Sequence, residues 1–144
     1  MIDSRFHRVF VPLILTVFVA GGSLLLAAAP HLSGTFTVAD TRISGDAVHL
    51  SFAFSLRSAQ PRDVTVEEVR LGNPSNSDRP YATFPGGTIP ARGEMKGSGD
   101  VTVPKSAFEK WQAGEPAALF VKTPGDSGST VWTRVDATAT SPVR

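Results

Sequence analysis

The first thirty residues constrain this chain most, because they contain an unbroken run of apolar and small side chains. The run extends from Val9 to Ala29, has no charge inside it, and follows Arg5 and Arg8. At ~1.5 Å per residue, a helix of this length spans about 30 Å, the hydrocarbon thickness of a bilayer. A helix in a globular core is rarely apolar on every face over such a length. The run therefore predicts a single N-terminal transmembrane helix.

The basic residues around this run predict its orientation. Both arginines of the N-terminal tip precede the run, and the next arginine or lysine in the chain is Arg42. Basic residues favour the cytoplasmic side of a membrane. We therefore expect residues 1–8 to form a cytoplasmic tip, residues 9–29 to span the cell membrane, and residues 30–144 to form an extracytoplasmic (periplasmic) domain.

A cleaved signal peptide is the alternative interpretation of the same run. Ala27-Ala28-Ala29 has the small side chains of a cleavage site, but Pro30 would follow a cut after Ala29. The run is also longer than the ~7–15 apolar residues that are usual in signal peptides. Cleavage after Ala28 stays open, and the domain would then be secreted.

Two glycines inside the run are candidate contacts with other membrane proteins. Gly21 and Gly22 present almost no side chain, which allows a neighbouring helix to approach closely. Because they are adjacent, they do not form a GxxxG pair, the better-attested dimerisation signal. We expect them to favour docking into a larger membrane assembly.

The composition of the exported part excludes several classes of function. The chain has no cysteine, so the domain has no disulfide, thiolate metal site, haem attachment or redox pair. Without Arg5, Arg8 and Asp3, the 14 basic and 13 acidic residues leave 12 of each. A balanced domain without a basic stripe is a poor nucleic-acid binder, and we predict no nucleic-acid partner.

Alternating hydrophobicity predicts that the exported domain is mainly β. The clearest strand is Ala47–Leu56, in which every second residue is apolar. We expect Thr35–Ile43 to pair with it through a turn at residues 44–46. The further strands predicted along the chain are Val64–Leu71, Tyr81–Phe84, Met95–Val103, Ala117–Lys122 and Thr130–Thr138.

Two local features carry more specific predictions. In Val64–Leu71 the apolar residues change parity, which predicts a bulge at Glu67-Glu68 or a strand that crosses between two sheets. Ser106 and Glu109 have the spacing of a capping box, and Gly114 can end a turn. We therefore expect one short helix near 105–112, with its two aromatic residues, Phe108 and Trp111, in the core.

This pattern resembles the immunoglobulin-like or fibronectin-III-like β-sandwiches of membrane-anchored bacterial proteins. The resemblance covers residues 33–140 and rests on the number and spacing of the strands, the short helix before the penultimate strand, and the Ile89–Gly93 turn. The Cys–Trp–Cys pattern of true immunoglobulin domains is absent, since the chain has no cysteine. The resemblance implies an antiparallel sandwich of about seven strands with one short helix.

No motif in the sequence predicts catalysis, a cofactor or a metal. Residues 125–129 (GDSGS) resemble the segment around the nucleophile of trypsin-like proteases, but such a serine needs a histidine base and an acid. Beyond the predicted anchor the only histidines are His31 and His49, and neither has a second ligand at metal-binding spacing. We interpret residues 125–129 as a hairpin loop, and expect no catalytic, cofactor-binding or metal-binding residue and no cofactor.

The aromatic residues provide the remaining candidate sites. Trp132 alternates with Val131 and Val135 and so points away from them, either into a second layer or into solvent beside Arg134. An exposed tryptophan next to an arginine is typical of a binding surface. Trp132, Arg134 and Tyr81 are thus the partner-binding candidates of the domain.

Two hypotheses of function follow from this pattern. The first is a non-catalytic single-pass membrane protein, an accessory or structural subunit of a larger membrane complex. The second is a periplasmic or secreted binding module for a saccharide, a cell-wall component or a protein. The sequence identifies neither the partner nor any small-molecule ligand.

Overall fold

The computed structural model describes residues 31–73 and 78–144. The predicted cytoplasmic tip and transmembrane helix, with Gly21 and Gly22, lie outside the described residues. Within the described ranges, no helix is long and apolar enough to cross a membrane.

In residues 31–73 and 78–144, seven strands and one short helix make the domain mainly β, as the sequence predicted. In chain order the elements are β1 (Leu32–Ser44), β2 (Ala47–Ser58), β3 (Val64–Leu71), β4 (Ala82–Ile89), β5 (Glu94–Pro104), α1 (Lys105–Gln112), β6 (Ala117–Pro124) and β7 (Thr130–Ala139), with a single 3₁₀ turn at Asp126–Gly128.

The strands form one mixed sheet in the order β4-β3-β6-β7-β1-β2-β5. All neighbours are antiparallel except β1 and β7, which are parallel and pair through Thr35–Thr138 and Phe36–Ala139. The two end strands, β4 and β5, lie close together, so the sheet is barrel-like. The prediction of a wholly antiparallel arrangement is therefore wrong at one pair. The first and last strands run in the same direction and become neighbours when the sheet curves.

The strand β2 provides the centre of the core. Its even-numbered residues from Val48 to Ser58 are all buried, which confirms the predicted alternation. Phe52 lies at the middle of an aromatic cluster, with ring centroids 5.3–6.4 Å from those of its four neighbours. Those neighbours are Phe36, Phe54, Phe84 and Trp111.

The helix α1 lies where it was predicted, but it begins differently. Pro104, the last residue of β5, is its N-cap, and no side chain caps the helix. The predicted capping box is therefore wrong, because the strand leads directly into the helix and places Ser106 inside it. Gly114 ends the helix as expected. It adopts φ +96°, and its amide donates to the Trp111 carbonyl at 3.1 Å.

The change of parity in β3 has a different form from the predicted bulge. Val66 and Val69 are both buried, as expected. However, β3 keeps the same register with β4 on both sides of Glu67, so no extra residue is inserted between these two strands. In both strands the buried residues switch from one parity to the other at this point, with Val66 and Val69 buried in β3 and Phe84 and Ile89 buried in β4. The two backbones approach closely here, and Gly86 packs against the backbone of Val66 and Glu67.

The strand β4 is longer than the predicted Tyr81–Phe84, because it continues through Pro85-Gly86-Gly87 as far as Ile89. Proline and glycine are tolerated there because β4 is an end strand of the sheet. Phe84, in the same strand, remains buried in the core.

Candidate functional site

The outer face of β3, β6 and β7 carries the exposed tryptophan of the domain. Trp132 keeps 41% of its surface exposed, whereas Val135 on the inner face of the same strand is buried. Trp132 lies opposite Lys122 in the register of β6 and β7. Of the two positions that the sequence left open, the structure places Trp132 at the surface and not in the core.

Two cations hold the Trp132 ring in place. The Arg70 guanidinium carbon lies 4.5 Å from the ring centroid, and the Lys122 ammonium nitrogen lies 5.9 Å from it. Contacts of this kind stabilise an exposed pair by about 0.5–1 kcal/mol. These contacts favour the orientation in which the ring lies between the two cations on the sheet surface.

Each cation of this face also has an acidic neighbour. Arg70 Nε donates to Glu68 Oε2 at 2.6 Å, and Arg134 Nε donates to an oxygen of Asp136 at 2.8 Å. Lys122 Nζ lies 3.7 Å from Glu67 Oε1. The charges around Trp132 are thus balanced within the domain, and this face offers a partner an aromatic ring with paired polar groups rather than net charge.

A depression of about 330 Å³ lies beside the tryptophan. Its walls are Arg70, Asp78, Phe120, Trp132 and Arg134. Phe120 lies over Gly72, where any side chain would collide with the phenyl ring. The glycine at position 72 therefore lets the Phe120 ring approach the backbone there and form part of this surface.

A second depression, of about 380 Å³, lies between α1 and the neighbouring ends of the strands. Tyr81, Trp111, Lys110 and Arg134 are among its lining residues. Partial burial raises the pKa of the Tyr81 hydroxyl. Arg134 lines both depressions, so the structure brings Tyr81, Arg134 and Trp132 to one side of the domain.

Sequence reasoning missed three residues of this surface. Arg70, Lys122 and Phe120 come from β3 and β6, and only the pairing of these strands with each other and with β7 brings them to Trp132. The alternation of β6 was a usable signal, since Phe120 and Lys122 share a parity opposite to that of the buried Leu119 and Val121.

The loop that resembles a protease segment is a tight turn. Ser127 adopts φ +60° inside the 3₁₀ turn, and the Ser129 hydroxyl donates to the Asp126 carbonyl at 2.6 Å. His49 lies on another strand, where its Nδ1 is 2.9 Å from Thr102 Oγ1. Across residues 31–73 and 78–144, no group of three or more histidine and carboxylate side chains is placed to hold a metal ion.

Comparison with known proteins gives no family. No family model matches the chain, and no curated protein matches it. Among solved structures, the chain has a likeness to the solution structure of a protein described as late embryogenesis abundant (LEA). The two are 14% identical over 95% of this chain and 87% of that one, with a TM-score of 0.32. A score this low does not establish a shared fold, and no function follows from it.

Proposed function

We propose that this chain is a non-catalytic, single-pass membrane protein that serves as an accessory or structural subunit of a larger membrane complex. Its β domain would lie on the periplasmic side and contact another subunit through the Trp132 face, defined by Arg70, Phe120, Lys122, Trp132 and Arg134. The apolar run from Val9 to Ala29 supports the membrane attachment. The exposed, cation-held Trp132 supports the contact with a partner.

The composition of the Trp132 face fits a protein partner. Tryptophan and arginine dominate the binding energy of protein interfaces, and they do so best where surrounding contacts exclude water. Arg70 and Lys122 already contact the ring and favour one orientation, which reduces the side-chain entropy lost on binding. Because the cations have acidic neighbours within the domain, burying this face would not leave an isolated charge.

We also propose that the β domain is an immunoglobulin-like or fibronectin-III-like sandwich. The strand order supports it, since β1 joins β2 and β5 on one side while β7 joins β6, β3 and β4 on the other. The link between the two groups consists of the two pairs between β1 and β7. Two layers that meet at one short parallel pair are compatible with a sandwich.

Trp132→Ala is expected to abolish co-purification of partner subunits with the full-length protein in mild detergent. The unfolding midpoint should change little, because the substitution removes a surface ring and its cation contacts, worth about 1 kcal/mol. Native mass spectrometry of the membrane extract gives the first readout and thermal unfolding gives the second.

Ile43→Ala is the matched control, because Ile43 is the other large exposed apolar residue of the described chain and lies on β1. The Ile43→Ala variant should retain all the partner subunits that co-purify with the unsubstituted protein. If both variants retain the same partners, the Trp132 face is not the contact surface.

Gly21→Leu is expected to weaken co-purification from within the membrane segment. Leucine at this position would fill the space that a neighbouring helix needs for close approach. The β domain should stay folded, which thermal unfolding can establish. An unchanged set of co-purifying membrane proteins would contradict a role for this glycine.

A saccharide is the second candidate ligand, and the depression beside Trp132 favours it. The Trp132 ring can stack on the face of a sugar. The planar polar groups of Arg134 and Asp78 beside it can form hydrogen bonds with the sugar hydroxyls. Titration of the full-length protein with soluble cell-wall fragments, followed by Trp fluorescence, tests this function. The binding module would be favoured over the accessory subunit by two results together. The full-length protein would bind the fragments saturably and lose this binding in Trp132→Ala, and no partner subunits would co-purify with it from the membrane extract.

A further inference from the structure

Four segments of the domain lie at the end where the chain enters β1. The strands β1, β3, β5 and β7 lead away from this end, and β2, β4 and β6 return to it. His31 and the three connections at 59–63, 90–93 and 125–129 therefore share it. The helix α1, the β1–β2 connection and residues 78–81, which precede β4, lie at the opposite end.

Three of these segments are joined by backbone hydrogen bonds. The Ala59 amide donates to the His31 carbonyl at 3.3 Å, and the Arg92 amide donates to the Gln60 carbonyl at 2.9 Å. The Ala91 amide donates to Asp63 Oδ1 at 2.9 Å. We call residues 31, 59–63 and 90–93 together the basal surface. Its loops are held to each other and present a defined face.

The basal surface carries two exposed arginines, Arg62 and Arg92. Neither forms an ion pair with any residue in the described ranges, whereas the nearby acids have partners. Asp63 accepts the amide described above, and Glu94 binds Arg57 at 3.0 Å. Asp126 is the other acid at this end of the domain, and it belongs to the separate β6–β7 loop. Asp63 keeps its negative charge, so Arg62, Arg92 and Asp63 together give the basal surface a net charge of +1, with two guanidinium groups that can contact an outside anion.

The distance between the apolar run and the domain is short. Only Pro30 and His31 separate Ala29 from Leu32, the first residue of β1. At ~3.3–3.6 Å per residue, the chain from Ala29 to Leu32 reaches about 10 Å when fully extended. Each headgroup layer of a bilayer is roughly 5–8 Å thick. A domain tethered this closely cannot rise clear of the membrane surface.

From this tether and these charges we infer that the basal surface rests on the lipid headgroups, with Arg62 and Arg92 contacting headgroup phosphates. This inference depends on the proposed membrane attachment through Val9–Ala29. Arginine binds phosphate through two parallel hydrogen bonds, which suits a fixed loop surface. The Trp132 face then stands beside the membrane, since Trp132 is the third residue of β7. A partner that reaches it must itself lie close to the bilayer.

The test uses the full-length protein in vesicles of phosphatidylcholine with about a third of the anionic lipid phosphatidylglycerol. Because the chain has no cysteine, a single introduced cysteine can carry a fluorophore. Ala91→Cys places the label on the basal surface, and Ala113→Cys places it at the opposite end, beyond α1. Quenching by a nitroxide attached to the lipid headgroup reports the proximity of each label to the membrane.

We expect the label at position 91 to be quenched several-fold more than the label at position 113. The double substitution Arg62→Gln/Arg92→Gln should lower the ratio of docked to free domain by about tenfold, since each basic residue contributes to headgroup attraction. The matched control Arg42→Gln/Arg79→Gln removes two exposed arginines from the opposite end and should leave quenching unchanged. Raising salt from about 0.1 M to 1 M should also reduce quenching, because the screening length falls from about 10 to 3 Å.

Two results would overturn the inference while leaving the proposed membrane attachment standing, and a third would overturn both. Equal quenching at positions 91 and 113 in protein that resists carbonate extraction would refute the basal contact and leave the membrane attachment standing. Unchanged quenching at position 91 in Arg62→Gln/Arg92→Gln would refute the assignment to these arginines. Release of the intact chain by carbonate would refute the membrane attachment, and the basal contact with it.

Discussion

Phe52→Ala is expected to lower the free energy of unfolding by about 3–5 kcal/mol. Phe52 has no exposed surface and contacts four other aromatic rings from β1, β2, β4 and α1. Truncation would remove the transfer free energy of the ring and leave a cavity among side chains that are fixed on separate elements and cannot close over it. A loss of this size is a large part of the total stability of a small domain.

Chemical denaturation followed by circular dichroism measures this loss. Phe120→Ala is the matched control, because it deletes the same atoms from a half-buried position on the outer face. We expect it to cost less than half as much as Phe52→Ala. Equal losses from the two variants would show that the aromatic cluster is not the main source of stability.

Gly86→Ala is expected to have the second large effect, a loss of several kcal/mol or failure to fold. A methyl group at position 86 would collide with the Val66 carbonyl oxygen and lie 2.6 Å from the Glu67 carbonyl carbon. Both neighbours are backbone atoms of the paired strand β3, and they cannot rotate away as a side chain can. The two strands would have to separate where they change face, and Val66 and Val69 would lose their buried positions.

The adjacent glycine provides the control for this prediction. A methyl group on Gly87 would meet only the flexible Met95 side chain, whose sulfur would lie 3.7 Å away, an ordinary contact. Gly87→Ala should therefore be neutral or stabilise the protein by up to about 1 kcal/mol, because alanine restricts the unfolded chain. Similar unfolding midpoints for the two variants would contradict the close approach of β3 and β4 at Gly86.

Local patterns in the sequence predicted most of the elements. The alternation in β2 and the apolar spacing around Phe108 and Trp111 depend on neighbours along the chain, and the structure confirms both. The predictions were wrong where the conformation of a residue depends on contacts with segments distant in the chain. The predicted strand Tyr81–Phe84 ended too early, since Pro85-Gly86-Gly87 pairs closely with β3 and continues the end strand to Ile89. Ser106 has the spacing of a cap, but β5 enters the helix directly at Pro104.

For the Trp132 face, too, the sequence predicted one part and the pairing of the strands decided the other. Alternation along β7 determined that Trp132 and Arg134 share a face and that Val135 occupies the other. Which face is exposed depended on the strands that flank β7. The parallel pairing with β1 and the antiparallel pairing with β6 turn Val135 inward and leave Trp132 at the surface.

The sequence by itself determined the apolar run, the β class of the domain and the alternation of its strands, because these are properties of consecutive residues. Only the tertiary structure decided which groups surround Trp132 and which loops form the basal surface. Arg70 and Trp132 are far apart in the chain, as are Gln60 and Arg92, and the folding of the strands against each other brings each pair together. Such contacts depend on packing between distant segments, and the periodicity of a single strand carries no information about them.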